Sequence, residues 1–200
     1  MTRRMKKISL GLFVLALSGG LAYFLWSGFY NQPVSEIALN QTYEGYDNFK
    51  LLKNHRWVML INDSNYKSED ELEDERMDNY PNEVNPELTF LEGTYKKNNN
   101  KYYFRLLKSA TVTFKSVKDV KKRKIFKRQI EKIKSPAYPS EPLLVKQKGT
   151  YVYKDVYTEE TKNGKRKKVV KDIDVYRSTV NLPNSTEQFL KNYHKVSKKQ

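Results

Sequence analysis

The hydrophobic pattern divides the chain into one long apolar run near its start and many short segments after it. Residues 8–30 comprise 23 positions without a charged side chain. A helix of that length rises about 35 Å, at about 1.5 Å per residue, and the hydrocarbon core of a bilayer is about 30 Å thick. We therefore predict a transmembrane signal-anchor helix over residues 8–30.

Charges on either side of this run predict its orientation. The preceding residues 1–7 contain two arginines and two lysines, whereas residues 31–43 contain neither residue type. Because basic flanks stay on the cytoplasmic side, residues 1–7 are predicted to be a cytoplasmic basic N-terminus. Residues 31–43 are then a linker, and residues 44–200 an extracytoplasmic β-rich domain of a single-pass cell-membrane protein.

A cleaved signal peptide is the alternative interpretation of the same run. The sequence Ala16-Leu17-Ser18 before Gly19 fits a small-x-small cleavage site, and cleavage would give a secreted protein. The apolar run continues to Tyr30, however, which favours a retained anchor.

Alternating bulky and polar residues, separated by turn-forming residues, predict strands through most of the remaining chain. The predicted strands cover residues 49–52, 55–63, 88–95, 101–109 and 109–117, and a final hairpin joins 149–162 to 165–180. Asn163-Gly164 suits a type I′ turn in that hairpin. We predict a mainly-β (α+β) fold, an antiparallel β-barrel or β-sandwich-like domain with one or two packed helices.

Two segments carry the spacing of amphipathic helices. Residues 118–134 place isoleucines and a phenylalanine on one face, with Ser116 as a cap and Ser135-Pro136 as a stop. Residues 184–196 are predicted to be a second helix, capped by Asn184 or Ser185.

Charge is unevenly distributed along the chain, whose formal net charge is +15. Residues 31–87 contain 5 basic and 13 acidic side chains, and residues 88–200 contain 29 basic and 10 acidic ones. Most of the acids lie in residues 65–87, which we predict to be an exposed, mobile loop that contacts the basic half of the chain.

Ten basic residues in two clusters are the candidate site for an anionic ligand. They are Lys121, Lys122, Arg123, Lys124, Lys127, Arg128, Lys165, Arg166, Lys167 and Lys168. The expected ligands are anionic cell-wall polymer, such as teichoic acid, or lipid headgroups. A membrane-protein partner is a further possibility, whereas export of the domain argues against nucleic acid.

The chain contains no cysteine, which excludes thiol catalysis and cysteine-ligated metals. We expect no catalytic, cofactor-binding or metal-binding residues. The predicted function is that of a non-catalytic binding or accessory protein of a bacterial, Gram-positive cell envelope. One alternative is a carboxylate-dependent cell-wall enzyme, with residues drawn from Glu92, Glu141, Asp155, Asp172 and Asp174. A structural subunit of a membrane complex is the other alternative.

Overall fold

The computed structural model of the protein describes residues 32–134, 137–161 and 165–195. The predicted N-terminus 1–7, the predicted anchor 8–30 and the turn Asn163-Gly164 lie outside the described residues. Within the described ranges, no helix combines the length and apolar character needed to cross a bilayer.

Twelve strands and three helices form the regular secondary structure of the described residues. The strands are β1 Thr42–Glu44, β2 Asn48–Leu52, β3 Arg56–Asp63, β4 Glu87–Asn98, β5 Lys101–Thr113, β6 Lys124–Ile125, β7 Lys127–Lys132, β8 Leu144–Gln147, β9 Thr150–Glu160, β10 Arg166–Asp174, β11 Tyr176–Arg177 and β12 His194–Lys195. The helices are α1 Glu69–Asp78, α2 Val117–Lys121 and α3 Thr186–Leu190. The prediction of a mainly-β fold is confirmed.

One antiparallel sheet contains most of the strands, in the order β10-β9-β8-β5-β4-β3-β2-β1-β11, and β7 also pairs with β5. Its two terminal strands, β10 and β11, are separated in the chain by Val175 alone. One stretch of chain therefore pairs with β9 on one side and with β1 on the other, which closes the sheet on itself. A separate parallel pair, β6 with β12, lies outside this sheet.

Val34 bridges β9 and the β10–β11 stretch by backbone hydrogen bonds at the point where the two separate. Its N–H donates to the Val175 carbonyl and its carbonyl accepts from the Tyr151 N–H, both at 2.8 Å. The Val34 side chain is buried, with 1% of its surface exposed. The predicted linker 31–43 is thus bonded to the domain from Val34 onward.

Aromatic side chains fill the inside of the closed sheet. The cluster comprises Val34, Tyr43, Phe49, Leu51, Trp57, Met59, Tyr95, Tyr102, Phe104, Leu144, Tyr151, Tyr153 and Val175. The Trp57 and Phe104 rings stack with centroids 4.9 Å apart. Burial of such large rings is the main stabilising contribution in a domain without disulfides.

A second apolar cluster lies on the outer face of β3, β4 and β5. Helix α3 covers it, and the Phe189 ring of α3 stacks on Phe90 of β4 at 5.0 Å. Strand β6 adds Ile125 to the same cluster.

A β-bulge allows β5 to contribute to both clusters. Glu92 pairs with Lys108 and Gly93 with Leu106, so Leu107 has no partner on β4. The extra residue reverses which side chains face inward: Phe104 lies in the inner cluster, and Ala110 in the outer one. The predicted third strand 109–117 is therefore wrong, because Ser109–Thr113 continues β5.

The helix predicted over 118–134 is also wrong. Helix α2 ends at Lys121, and Arg123 has a φ of 54°, a left-handed conformation that stops a helix. The following residues form β7, which pairs with β5 from Lys108 to Thr113. That part of β5 has no pairing with β8, so β7 satisfies backbone groups that would otherwise form an open edge. The predicted cap at Ser116 is confirmed, since its side chain accepts from the Asp119 N–H.

Two other segments differ from their predictions. Within the described part of the predicted helix 184–196, which ends at residue 195, only α3 is helical; Ser185 caps it as expected, and the chain then forms β12. Within the predicted acidic loop 65–87, Ser68 caps the ten-residue helix α1. The predicted contact with the basic half is present, because Glu69 accepts from the N–H groups of Val117 and Lys118.

Replacing Gly93 at the bulge is expected to destabilise the domain. A Cβ there would collide with the Arg105 carbonyl oxygen and lie 2.6 Å from Trp57 Nε1. Overpacking costs about 1–3 kcal/mol, and a rigid backbone obstacle places Gly93→Ala at the upper end. Gly149→Ala is the comparison, since that position is open and only its φ of 93° opposes a side chain, at about 1–2 kcal/mol. Urea unfolding monitored by Trp fluorescence measures both, and equal losses would contradict this account of the bulge.

Candidate functional site

The strand directions define two ends of the closed sheet. The near end contains the turns after β2, β4 and β8, at residues 53–55, 99–100 and 148–149. Val34 lies at the near end, because it bonds to Tyr151, the second residue of β9. The far end contains the ends of β3, β5 and β9 and the start of β10.

The first basic cluster follows the end of β5 and therefore lies at the far end. Lys121 ends α2, Lys122 is its C-cap, and Arg123 follows with a positive φ. Lys124 begins β6, and Lys127 and Arg128 begin β7. All six are exposed. Lys127 pairs with Thr113, the last residue of β5, which fixes the position of the cluster along the sheet.

The second cluster lies at the start of β10, also at the far end. Lys165, Arg166, Lys167 and Lys168 are all exposed. Arg166 is opposite Glu160 and Lys167 is opposite Glu159 on β9, so acidic neighbours accompany this cluster. Lys168 also forms an ion pair with Glu141.

The structure thus places the two predicted clusters at one end of the molecule but on different strand pairs. β7 pairs with β5, and β10 pairs with β9. In the described part of the chain, Lys168 is the only one of the ten residues with an ion-pair partner.

Acidic helix α1 lies beside the first cluster, but among the described residues none of its carboxylates forms an ion pair with the six basic side chains of that cluster. The Glu69 carboxylate accepts from backbone N–H groups, at 2.9 Å from Lys118 and 3.1 Å from Val117. The hydrogen bond from Lys118 is the main cause that lowers the pKa of Glu69. Since Glu69 caps the N-terminus of α2, it orients the helix that carries Lys121.

The predicted catalytic carboxylates occupy different environments. Glu92 forms a 2.5 Å ion pair with Arg56 and accepts from the Thr186 N–H and hydroxyl at 3.0 Å, so it holds α3 on the sheet. Asp172 pairs with Lys154 at 2.5 Å, and Asp174 is exposed on β10.

The remaining two carboxylates, Glu141 and Asp155, line one cavity of about 450 Å³. Tyr153, Lys154 and Lys168 also line it. Lys168 pairs with Glu141, so one of the two carboxylates is already neutralised by a lysine. Among the described residues, no group of three or more His, Asp or Glu side chains is arranged to hold a metal ion.

Asp47, in the turn between β1 and β2, is a perturbed carboxyl that the sequence analysis missed. Burial raises the pKa of Asp47 to about 6, and the negative charges of Asp63 and Asp155 add to the effect. An aspartate in a turn is ordinary in sequence. Its environment comes from strands distant in the chain, so no local signal identifies it.

Lys50 is the other buried charged group without a predicted role. Its ammonium group donates to the Leu182 carbonyl, and burial lowers its pKa. Strand β2 carries it on the face opposite Phe49 and Leu51, so the bond ties residues 178–184 to the outside of the sheet. In the sequence, a single lysine within the otherwise apolar run 49–52 is the pattern that could have indicated a buried charged side chain.

Comparisons of this chain with protein-family models, with curated proteins and with solved structures find no match.

Removing the Asp47 charge is expected to stabilise the protein at neutral and alkaline pH. A carboxyl whose folded-state pKa is raised from 3.8 to about 6 contributes stability below pH 3.8 that is lost as pH rises through 6. Asp47→Asn should therefore gain about 1–2 kcal/mol at pH 8, allowing for solvent screening, and almost nothing at pH 4. Thermal unfolding across this pH range measures the gain.

Asp174→Asn, an exposed carboxyl on β10, is the matched control and should show no such gain. A pH-independent effect of Asp47→Asn would refute the role of its charge.

Proposed function

We propose that the protein is a non-catalytic binding or accessory protein of a bacterial cell envelope, anchored in the cytoplasmic membrane through residues 8–30. Its folded domain lies outside the membrane and binds an anionic envelope polymer through the ten exposed basic residues. Of the two predicted fold alternatives, the closed sheet supports a barrel. The single observation that carries the proposal is the position of both basic clusters at the far end.

Position matters because Val34 fixes where the chain joins the domain. The uncharged run ends at Tyr30, four residues before Val34, and Val34 lies at the near end. A domain anchored there turns its far end away from the bilayer. Both basic clusters then point toward polymer in the surrounding envelope, where exposed charge raises the local concentration of an anionic ligand.

The carboxylate-dependent enzyme is a second candidate because Glu141 and Asp155 line one cavity. Hydrolysis of purified cell-wall glycan by the full-length protein, abolished by both Glu141→Gln and Asp155→Asn, would establish it. The ion pair between Lys168 and Glu141 favours a structural role for Glu141.

Polymer binding is expected to depend on the far-end charges. With the full chain in nanodiscs of uncharged lipid, the fourfold variant Lys121→Gln, Lys122→Gln, Lys127→Gln and Arg128→Gln should bind soluble teichoic acid at least about tenfold more weakly at low salt. Titration calorimetry at several salt concentrations measures this loss.

The matched control removes four charges from the near end: Lys97→Gln, Lys101→Gln, Lys146→Gln and Lys148→Gln. It should change the affinity by less than about threefold, since those charges lie farther from the polymer than a Debye length of about 8 Å. Equal losses of affinity in both variants would mean that binding depends on the net charge of the protein and not on the far-end clusters, which would contradict the proposal. Absence of binding by the wild-type chain would refute the proposed function.

Membrane topology is testable independently of any ligand. A C-terminal tag should be removed by protease from outside intact protoplasts, while the N-terminal part remains in salt-washed membranes. Release of the whole domain into the medium would instead establish signal cleavage. Protection of the tag would place the domain in the cytoplasm and overturn the proposal.

A further inference from the structure

The near end of the sheet carries a second basic surface, which we call the lysine rim. It consists of Lys53, Lys97, Lys101, Lys146 and Lys148, contributed by the turns after β2, β4 and β8 and by the strand ends beside them. The sequence separates these lysines by up to 95 positions, and strand pairing brings their turns to one end.

Two lysines of the rim lie over aromatic rings. Lys97 Nζ is 5.3 Å from the centre of the Tyr102 ring, and Lys146 Nζ is 5.8 Å from that of Tyr151. Tyr102 and Tyr151 belong to the inner cluster, so both lysines are held against the end of the core. In the described chain none of the five rim lysines has an ion-pair partner.

The segment between Val34 and β1 crosses the same end. The Ala38 N–H donates to the Tyr43 hydroxyl, and the Asn40 N–H donates to the carbonyl of Leu51 near the end of β2. Leu39 lies between these two bonds and is 47% exposed. The carboxylates Glu36 in this segment and Asp174 at the end of β10 also lie at the near end, where the five rim lysines outnumber them.

The length of the preceding chain fixes what this surface faces. Three residues separate Tyr30 from Val34, so the four Cα–Cα steps between them span at most about 14 Å when fully extended. The headgroup layer on each side of a bilayer is about 5–8 Å thick. If residues 8–30 cross the membrane, Val34 therefore lies at or just above the headgroups.

We propose that the lysine rim docks on the anionic phospholipid headgroups of the membrane that anchors the chain, with Leu39 directed into the headgroup layer. This inference rests on the anchor of the proposed function but uses a surface different from the polymer-binding clusters. The ammonium groups bind headgroup phosphates, and Lys97 and Lys146 are held by the rings beneath them. The domain consequently stands upright on the membrane with its far end outward.

Energy transfer in the full chain tests this orientation, because the protein contains no cysteine and one introduced thiol is a unique label site. A donor dye is attached at Asn98→Cys, in the turn region of the near end, or at Thr161→Cys, at the far end. Both positions are exposed. The chain is inserted into phosphatidylcholine vesicles with or without phosphatidylglycerol, and the acceptor dye is on a lipid headgroup.

Docking predicts at least about twofold stronger energy transfer from position 98 than from position 161 on vesicles containing phosphatidylglycerol. The difference should shrink without phosphatidylglycerol or at high salt. Lys97→Glu, Lys101→Glu, Lys146→Glu and Lys148→Glu together should remove the dependence on anionic lipid. The corresponding glutamine variant should give an intermediate effect, and circular dichroism checks that each variant is folded.

The far-end variant Lys121→Glu, Lys122→Glu, Lys127→Glu and Arg128→Glu is the matched control and should keep the wild-type transfer. Equal transfer from positions 98 and 161 would overturn docking while leaving the anchor intact. Loss of the chain from vesicles after an alkaline wash would overturn both the anchor and docking. Docking without affinity for teichoic acid would refute only the polymer-binding proposal.

Discussion

The structure depends on the pair of hydrogen bonds at Val34. These bonds complete the closed sheet, and they fix the position at which the chain before Val34 joins the domain. One stretch of chain, β10 to β11, pairs with β9 and then with β1. Val34 bridges Val175 and Tyr151 at the change of partner. Because closure encloses aromatic rings from strands all around the sheet, a domain without disulfides obtains a continuous core. The same bonds fix the end of the domain at which the N-terminal chain arrives.

Local sequence patterns predicted the hairpins, but they did not predict that one edge of β5 pairs with two different strands, β7 and β8. The pairings of β2 with β3, β4 with β5 and β9 with β10 all connect neighbouring segments, so alternation and turn residues suffice. Leu107 breaks the alternation within β5, which made one strand look like two. Residues 124–132 have helical spacing, but residues 127–132 form β7 on the free edge of β5, and residues 124–125 form β6 beside β12. Such tertiary pairing overrides local propensity and leaves no trace in a sequence window.

The candidate sites differ in how visible they are in the sequence. The predicted clusters are runs of consecutive basic residues, and exposure of all ten agrees with the simple expectation for such runs. The lysine rim, by contrast, is assembled from single lysines beside separate turns. Asp47 is similar, since its pKa is raised first by burial and then by the charges of Asp63 and Asp155 from other strands. Charge that is dispersed along the chain and gathered by topology requires the fold before it can be recognised.

Folding also brings together acidic and basic segments that are separate in the sequence. The acidic residues 65–87 and the basic residues 117–128 are separate in sequence, yet both follow strand ends at the far end. Glu69 joins them by bonding to the first turn of α2. The far end is therefore a mixed surface, on which carboxylates lie close to the basic residues that we propose bind an anionic polymer. At the near end lysines outnumber carboxylates, and Val34 follows the end of the uncharged run by four positions in the sequence. For that reason the proposed membrane contact at the near end needs little selectivity, whereas the proposed polymer binding has to obtain its selectivity from the spacing of charges at the far end.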